Sequence, residues 1–376
     1  MKKICYFVNS DWYFHLHWLE RAKKVQEQEY EVHVITHFVN EEIKADLINL
    51  GFICHHVGMN AQSFNPFNLL TSFYTSHKLI KKINPDILHC ITIKPTLIGG
   101  LIAKKYNKAA ILSFVGLGRV FMDNYTLMAP LQKIILKLYK IICSNNKCIL
   151  MFEHEHDRRR LTKLLNLDKN KTVVVDGAGI NHNIYKYSQE NTTEKPVVLF
   201  ASRLLWNKGI GDLVAVKKKL AEKNIDFELK VAGIIVDNDS DAVPMSFINK
   251  WQRDGLITWL GQTQDVYSLI KECNIVALPS VYAEGIPRIL LEACSVGRSC
   301  IAYNVGGCDS LIIDKVNGIL IDKGDVKSLT DNIEYLLQAP EVRIKMGMQG
   351  RSRIEKKFTT EHISRITLAV YRSLLS

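Results

Sequence analysis

The chain has 376 residues, 47% of them hydrophobic and 23% charged, an ordinary soluble composition in a length that favours two domains of similar size. No apolar run approaches the roughly 18 residues of a spanning helix, which excludes a chain that crosses a bilayer by helices. Lys and Arg number 49 against 38 Asp and Glu, and the formal charge of +11 favours nucleotides, phosphates or an acidic membrane surface as partners. Nucleic acid would suit the same charge, but no recognition motif for it is present.

The N-terminal stretch "MKKICYFVNSDWYFHLHW" starts basic, and its apolar run stops at Asn9, Ser10 and Asp11. That reads as a buried strand rather than a signal peptide. Short β-branched runs follow at "YEVHVITHF", "FICHHVG", "DILHCI", "AAILSFVG", "CILMFE" and "TVVVDG", with helical patterns such as "HWLERAKKVQEQ" and "NEEIKADLINLG" between them. The polar segment "YKYSQENTTEKP", residues 185–196, interrupts the pattern before a fresh strand. Beyond it, "PVVLFASR", "ELKVAG", "ITWLGQ", "NIVALPS", "SCIAYNV" and "GILIDK" resume the alternation, and "TTEHISRITLAVYRSLL" closes the chain as a helix. Apolar strands alternating with helices predict parallel sheets covered on both faces. The expected architecture is α/β, two doubly wound Rossmann-like domains facing across a cleft. They span 1–185 and 186–355, with 356–376 a C-terminal helix that is a candidate to cross back to the first domain. Nine cysteines, an odd number without paired spacing, read as reduced thiols of a cytosolic protein.

Two stretches carry candidate chemistry. In "SVYAEGIPRILLEACSVGRS", a strand ends, Glu284 lies in the loop, Pro287 suits the first turn of a helix, and Glu292 lies further along it. The free N–H groups of that first turn favour an anion, and a carboxylate at Glu292 can accept two hydrogen bonds from a vicinal diol such as ribose. In "FASRLLWNKGIGDLV", Arg203 and Lys208 surround a turn at the end of another strand, an arrangement that suits a diphosphate. Taken singly, each has a plainer reading, as a loop acid with a helix-surface glutamate and as surface cations on a basic protein.

Together with "VAG", "WLGQTQDV", "AYNVGGCDSLI" and "VNGILI", these motifs resemble, in the same order over residues 197–340, the retaining GT-B-fold glycosyltransferases of the family 4 type. Their Glu-x7-Glu signature corresponds to Glu284 and Glu292. In the first half, "LHCITIKPTLIGGLIAKK", "SFVGLGRVF" and "VVVDGAGINHNIY" look like members that build O-antigens, capsules or lipid-linked oligosaccharides. The resemblance implies that Arg203 and Lys208 hold the nucleotide diphosphate and Glu292 the ribose. Glu284 and the backbone of Gly285, Ile286, Pro287 and Arg288 would face the donor sugar, and Ile289 and Leu290 complete the donor-binding segment. Catalysis would fall to Glu284, Arg203 and Lys208, with retention of anomeric configuration and neither a metal nor another cofactor.

The first half departs from that family. "NSDWYFHLH" replaces the glycine pair after the first strand, which leaves His15 or His17 to approach a substrate, and His15 is the preferred candidate. Where relatives carry a histidine near Ile91 or Ile93, this chain offers His89, inside a strand pattern, and Lys94, just past it. Lys94 is therefore the second candidate for acceptor contact. "GGCDS" places Ser310 where relatives often have glutamate. "DNDSD", residues 237–241, has the spacing of a metal motif but reads as a solvated acidic loop, and "EHEHD", residues 153–157, as a helix start. "LMAPLQKIILKLYKIICSNNK", residues 127–147, is an amphipathic helix with Lys133, Lys137 and Lys140 along its edge. It suits either a packed domain helix or an interfacial one on anionic lipid, to which "HKLIKKINP" would add charge.

The implied function is transfer of a hexose or N-acetylhexosamine from a nucleotide sugar, UDP-linked by preference, to a polyprenyl-diphosphate-linked saccharide. The enzyme would work at the cytoplasmic membrane surface in O-antigen or capsule biosynthesis, without nucleic acid. The alternatives are a nucleotide-sugar 2-epimerase of the same architecture and an inactive assembly partner. A periplasmic-type sugar-binding protein is disfavoured because no signal peptide is evident.

Overall fold

The computed structural model describes residues 1–59, 66–118, 121, 129–236, 239–263, 265–282 and 285–376. It forms two compact units, Met1–Gly179 with Thr360–Ser376, and Ile180–Thr359. The chain thus passes between units at 179/180 and at 359/360, where sequence reading placed the divisions at 185/186 and 355/356.

The first unit runs β1 (Lys3–Val8), α1 (Asp11–His17), α2 (Leu19–Gln26), β2 (Glu31–Thr36), α3 (Glu41–Asn49), β3 (Ile53–His56), α4 (Pro66–Ile83), β4 (Ile87–Ile91), α5 (Ile93–Lys105), β5 (Ala109–Phe114), α6 (Ala129–Cys143), β6 (Cys148–Phe152), α7 (Glu155–Leu165) and β7 (Thr172–Val174). Its strands are parallel and ordered β3-β2-β1-β4-β5-β6-β7. The β4 run "ILHCI" is buried throughout, as a strand covered on both faces must be.

The second unit runs β8 (Val197–Ala201), α8 (Ile210–Glu222), β9 (Glu228–Ala232), α9 (Met245–Arg253), β10 (Thr258–Trp259), α10 (Val266–Glu272), β11 (Ile275–Leu278), α11 (Arg288–Val296), β12 (Ser299–Tyr303), α12 (Cys308–Leu311), β13 (Ile319–Ile321), α13 (Val326–Gln338) and α14 (Pro340–Arg353). Its parallel sheet is ordered β10-β9-β8-β11-β12-β13. The last helix, α15 (Thr360–Leu375), belongs to the first unit.

A buried polar chain fastens α15 there. The Tyr371 hydroxyl lies 2.6 Å from His89 Nδ1 and 3.1 Å from the Tyr6 hydroxyl, and His89 Nε2 lies 2.7 Å from Ser113 Oγ. Burial, then the Arg21 charge, holds His89 well below the usual imidazole range, so it serves here as a neutral core hydrogen-bonding group. All nine cysteines are free thiols, and all but Cys54 are buried.

The stretch after β1, given no secondary structure in the sequence reading, is helix α1. Its aromatic and histidine residues are weak helix formers, but the buried Asp11 organises them from outside the local pattern. Asp11 Oδ1 accepts from Trp12 N at 2.7 Å, while Oδ2 accepts from Val39 N at 2.7 Å and Asn40 N at 2.8 Å. Pro287, expected inside the first turn of its helix, is instead the residue preceding it, with φ −62° and ψ 126°.

Candidate functional site

Each sheet has one place where the chain leaves adjacent parallel strands in opposite directions. In the second unit it lies between β8 and β11, and in the first between β1 and β4. The carboxyl ends of such strands leave a crevice that neither connection covers. All the described candidates from the sequence leave these four strands.

After β8 the chain exposes Arg203, buries Leu204 and Leu205, and makes a short 3-10 turn over Trp206–Lys208. Gly209 follows at φ +85°, and a Cβ there would lie 2.0 Å from the Pro279 carbonyl oxygen. Only glycine lets this turn rest on the end of β11. Val281 N donates to Asn207 O at 2.8 Å and ties the two loops together. Lys208 is consequently 3% exposed, with Nζ 6.0 Å from the centre of the Tyr282 ring. It is a buried cation, which its place in an otherwise polar turn did not announce.

Asp241 supports this turn from the stretch read as a solvated acidic loop. Its Oδ2 accepts from Asn207 N at 2.9 Å and its carbonyl from Trp206 N at 2.8 Å. Asp237 and Asn238 lie outside the described residues. Among the described residues no group of three potential ligands could hold a metal ion. His154 of "EHEHD" stands at the N-cap of α7.

After β11, Glu284 lies outside the described residues. Gly285 and Ile286 press against Gly307, where a Cβ would meet Gly285 C and Ile286 N at 2.9 Å. The Ile286, Ile289 and Leu290 side chains are buried in the core, so their possible contribution to a ligand is confined to the main chain. The Leu290 N–H donates to Pro287 O at 3.1 Å.

Glu292 is 5% exposed, not a helix-surface acid. Arg288 Nε donates to its Oε1 at 2.7 Å, one turn earlier on α11. The Tyr185 hydroxyl lies close enough to feel the charges of both partners. Burial, then the negative charge of Glu292, pushes the Tyr185 hydroxyl up and keeps it a proton donor. Burial alone would lower Arg288, but Glu292 and Tyr185 outweigh it and raise the guanidinium. The spacing of Arg288 and Glu292 is a legible helical pair. Tyr185 has no such signal, because it lies in the segment that reads as a break between domains.

In the first unit, His15 Nε2 lies 3.3 Å from Asp46 Oδ2, and Asp46 is 65% exposed in its side chain. A pair of this kind contributes little to stability and yields readily to a ligand. Lys94 opens α5 and is 7% exposed; burial lowers its ammonium below the usual range. Thr92 just before it has φ +71° and ψ 164°, a strained geometry for a β-branched residue. The structure thus places His15 and Lys94 after the paired strands β1 and β4, and Arg203, Lys208 and Glu292 after the paired strands β8 and β11.

Two Rossmann-like units with crevices of this kind define a two-domain α/β protein of the doubly wound type. Family comparison takes the assignment further. The Glycosyl transferase 4-like family matches residues 3–151, and the Glycosyl transferases group 1 family matches residues 183–353. The chain belongs to the GT-B-fold glycosyltransferases and is an enzyme of that class. It is 27% identical over 343 residues to the N,N'-diacetylbacillosaminyl-diphospho-undecaprenol alpha-1,3-N-acetylgalactosaminyltransferase of Campylobacter jejuni, covering 86% of each chain. It is 24% identical to the capsular polysaccharide biosynthesis glycosyltransferase CapM of Staphylococcus aureus, over 56% of this chain and 58% of that one. The fold is similar to that of Anabaena HepE solved with UDP, with TM-score 0.79, 17% identity, and 99% and 100% of the two chains covered.

Proposed function

We propose that the protein is a retaining glycosyltransferase that moves a hexose or N-acetylhexosamine from a UDP-sugar to a polyprenyl-diphosphate-linked saccharide. The second unit takes the donor and the first takes the acceptor, at the cytoplasmic face of the membrane, in assembly of a bacterial O-antigen or capsule. The observation that carries this reading is a buried acid, Glu292, and a buried cation, Lys208, on the two chain segments that leave one switch point. An acid suits ribose hydroxyls, and a cation suits the diphosphate that departs in the reaction. The names of the relatives support the substrate classes: one acts on an undecaprenyl-diphosphate-linked saccharide, and HepE binds UDP.

A thermal shift series with UDP, GDP, ADP and CMP tests the donor assignment. A ligand near 100 times its dissociation constant adds about 2.7 kcal/mol, and UDP is expected to give the largest rise. Equal or absent shifts, with no UDP binding by titration calorimetry, reject a UDP-sugar donor.

The membrane assignment rests on the outer faces of two helices that flank α5. On α6, Lys133, Ile134, Lys137, Lys140 and Ile141 are exposed; on α4, Leu70, Tyr74, Lys78, Lys81 and Lys82 are exposed. Among the described residues no helix is long and apolar enough to cross a membrane. A basic surface with scattered apolar side chains gains about 1 kcal/mol per lysine near anionic lipid. Co-sedimentation with phosphatidylglycerol vesicles is expected, and replacement of Lys133, Lys137 and Lys140 by Glu should reduce it at least tenfold. Equal sedimentation of the triple variant and the parent protein discards the α6 surface.

A further inference from the structure

Lys208 can meet a diphosphate in one geometry only if the backbone beneath its flexible four-carbon stem is held still. The turn that carries it supplies little of this restraint by itself. It is a single 3-10 turn, closed by Lys208 N donating to Leu205 O at 3.0 Å and Gly209 N donating to Trp206 O at 3.0 Å. The rest comes from residues distant in sequence.

On one side, Asn207 O accepts from Val281 N at 2.8 Å and from Ser280 Oγ at 3.2 Å, which ties it to the end of β11. The other side is held by residues 239–243, part of the acidic stretch after β9. Leu205 forms an antiparallel bridge with Ala242, and Val243 N donates to Leu204 O at 3.0 Å. Trp206 N donates to Asp241 O at 2.8 Å, and Asn207 N donates to Asp241 Oδ2 at 2.9 Å. Of these contacts only the last uses the Asp241 side chain. The chain then enters α9, whose Phe247 and Trp251 meet the Trp206 ring edge-on at centroid distances of 5.2 and 5.9 Å. Trp206 therefore keeps its main-chain bond and its ring contacts when the Asp241 side chain is changed. Such a change releases Asn207, the residue directly before Lys208.

We infer that Asp241 is a positioning residue for diphosphate recognition: by fixing the Asn207 N–H, its carboxylate sets where the Lys208 ammonium stands. The inference rests on the reading of Lys208 as the cation that meets the diphosphate. A backbone N–H bonds a carboxylate more strongly than a neutral acceptor, and an amide oxygen in the same place keeps the acceptor at reduced strength. Because Ser280 and Val281 still hold the Asn207 carbonyl, the loss is of aim rather than of fold. It falls on the phosphates and spares the nucleoside.

The test compares affinities for UDP and uridine by titration calorimetry in the wild type, Asp241→Ala, Asp241→Asn, Lys208→Ala and the double variant of Asp241→Ala with Lys208→Ala. Charged hydrogen bonds to the diphosphate predict that wild type prefers UDP by at least about 100-fold, and that Lys208→Ala narrows this by about 10- to 100-fold. Asp241→Ala should narrow it by about three- to tenfold through weaker UDP binding alone, and Asp241→Asn should recover most of the preference. In the Lys208→Ala background, Asp241→Ala should change the preference by less than about twofold, because the group it aims is gone. Asp241→Leu removes the acceptor at a similar volume and takes the place of the Ala variant if that one does not fold. A Lys208→Ala variant with the wild-type preference overturns the diphosphate reading and this inference with it. If Lys208→Ala loses preference as expected, three results overturn the inference alone: Asp241→Ala that discriminates like wild type, Asp241→Asn that does no better than Asp241→Ala, or equal losses from Asp241→Ala with and without Lys208.

Discussion

Glu292→Ala is expected to lower the melting temperature of the nucleotide-free protein by about 6–12 °C and to weaken UDP binding as well. The substitution removes the acceptor of Arg288, a guanidinium drawn largely out of water. Breaking a buried pair from one side costs about 3–5 kcal/mol. The Arg288 side chain retains 24% exposure, so water compensates part of that loss and the lower end, about 3 kcal/mol, applies. An acid on an open helix surface would change stability by no more than about 0.5 kcal/mol. Differential scanning calorimetry without ligand therefore separates the two situations. A melting point within a degree or two of wild type would mean that the Arg288–Glu292 pair does not hold the site together.

Lys208→Ala has the larger expected effect on turnover, a fall in kcat/KM of about 100- to 1,000-fold carried mostly by kcat. Charge develops on the departing diphosphate as the sugar bond breaks, and a fixed cation away from bulk water stabilises that charge more strongly in the transition state than in the bound substrate. Lys208 is 3% exposed and held in a turn whose position depends on Gly209 and Asp241. Arg203 is exposed, and its loss should act more on binding, by about 10- to 100-fold in UDP affinity. Steady-state kinetics resolve the two roles. If Lys208→Ala keeps kcat/KM within threefold of wild type, Lys208 does not meet the leaving group.

The strands and the two candidate donor loops were legible because their signals are local. "VVLFA" and "IVAL" are apolar over the length of a strand, and glycine marks the turn at Gly209 where the backbone needs a positive φ. The first turn of the chain after β1 was not legible as a helix, because Asp11 holds it through Val39 and Asn40 from the loop after β2. Nor could the acid at Asp241 be recognised as a support for the Lys208 turn. Its partner Asn207 lies across a helix and a strand, and nothing in residues 237–241 refers to it.

By itself, the sequence determined the kind of elements, their succession, the two parallel sheets and the family motifs at residues 197–340. These follow from side-chain periodicity, turn chemistry and motif spacing, which act over a few residues at a time. Only the tertiary structure decided which strands became neighbours, and so which loops share a crevice. β8 pairs with β11, though β9 and β10 intervene in the chain, and that pairing brings the Lys208 turn and the Glu292 helix to one place. It likewise decided that Leu290 would turn inward and that the Tyr185 carbonyl would be held by Ser295 of the Glu292 helix. Burial and hydrogen bonding between distant segments depend on the packed arrangement of the whole unit, and no local pattern records it.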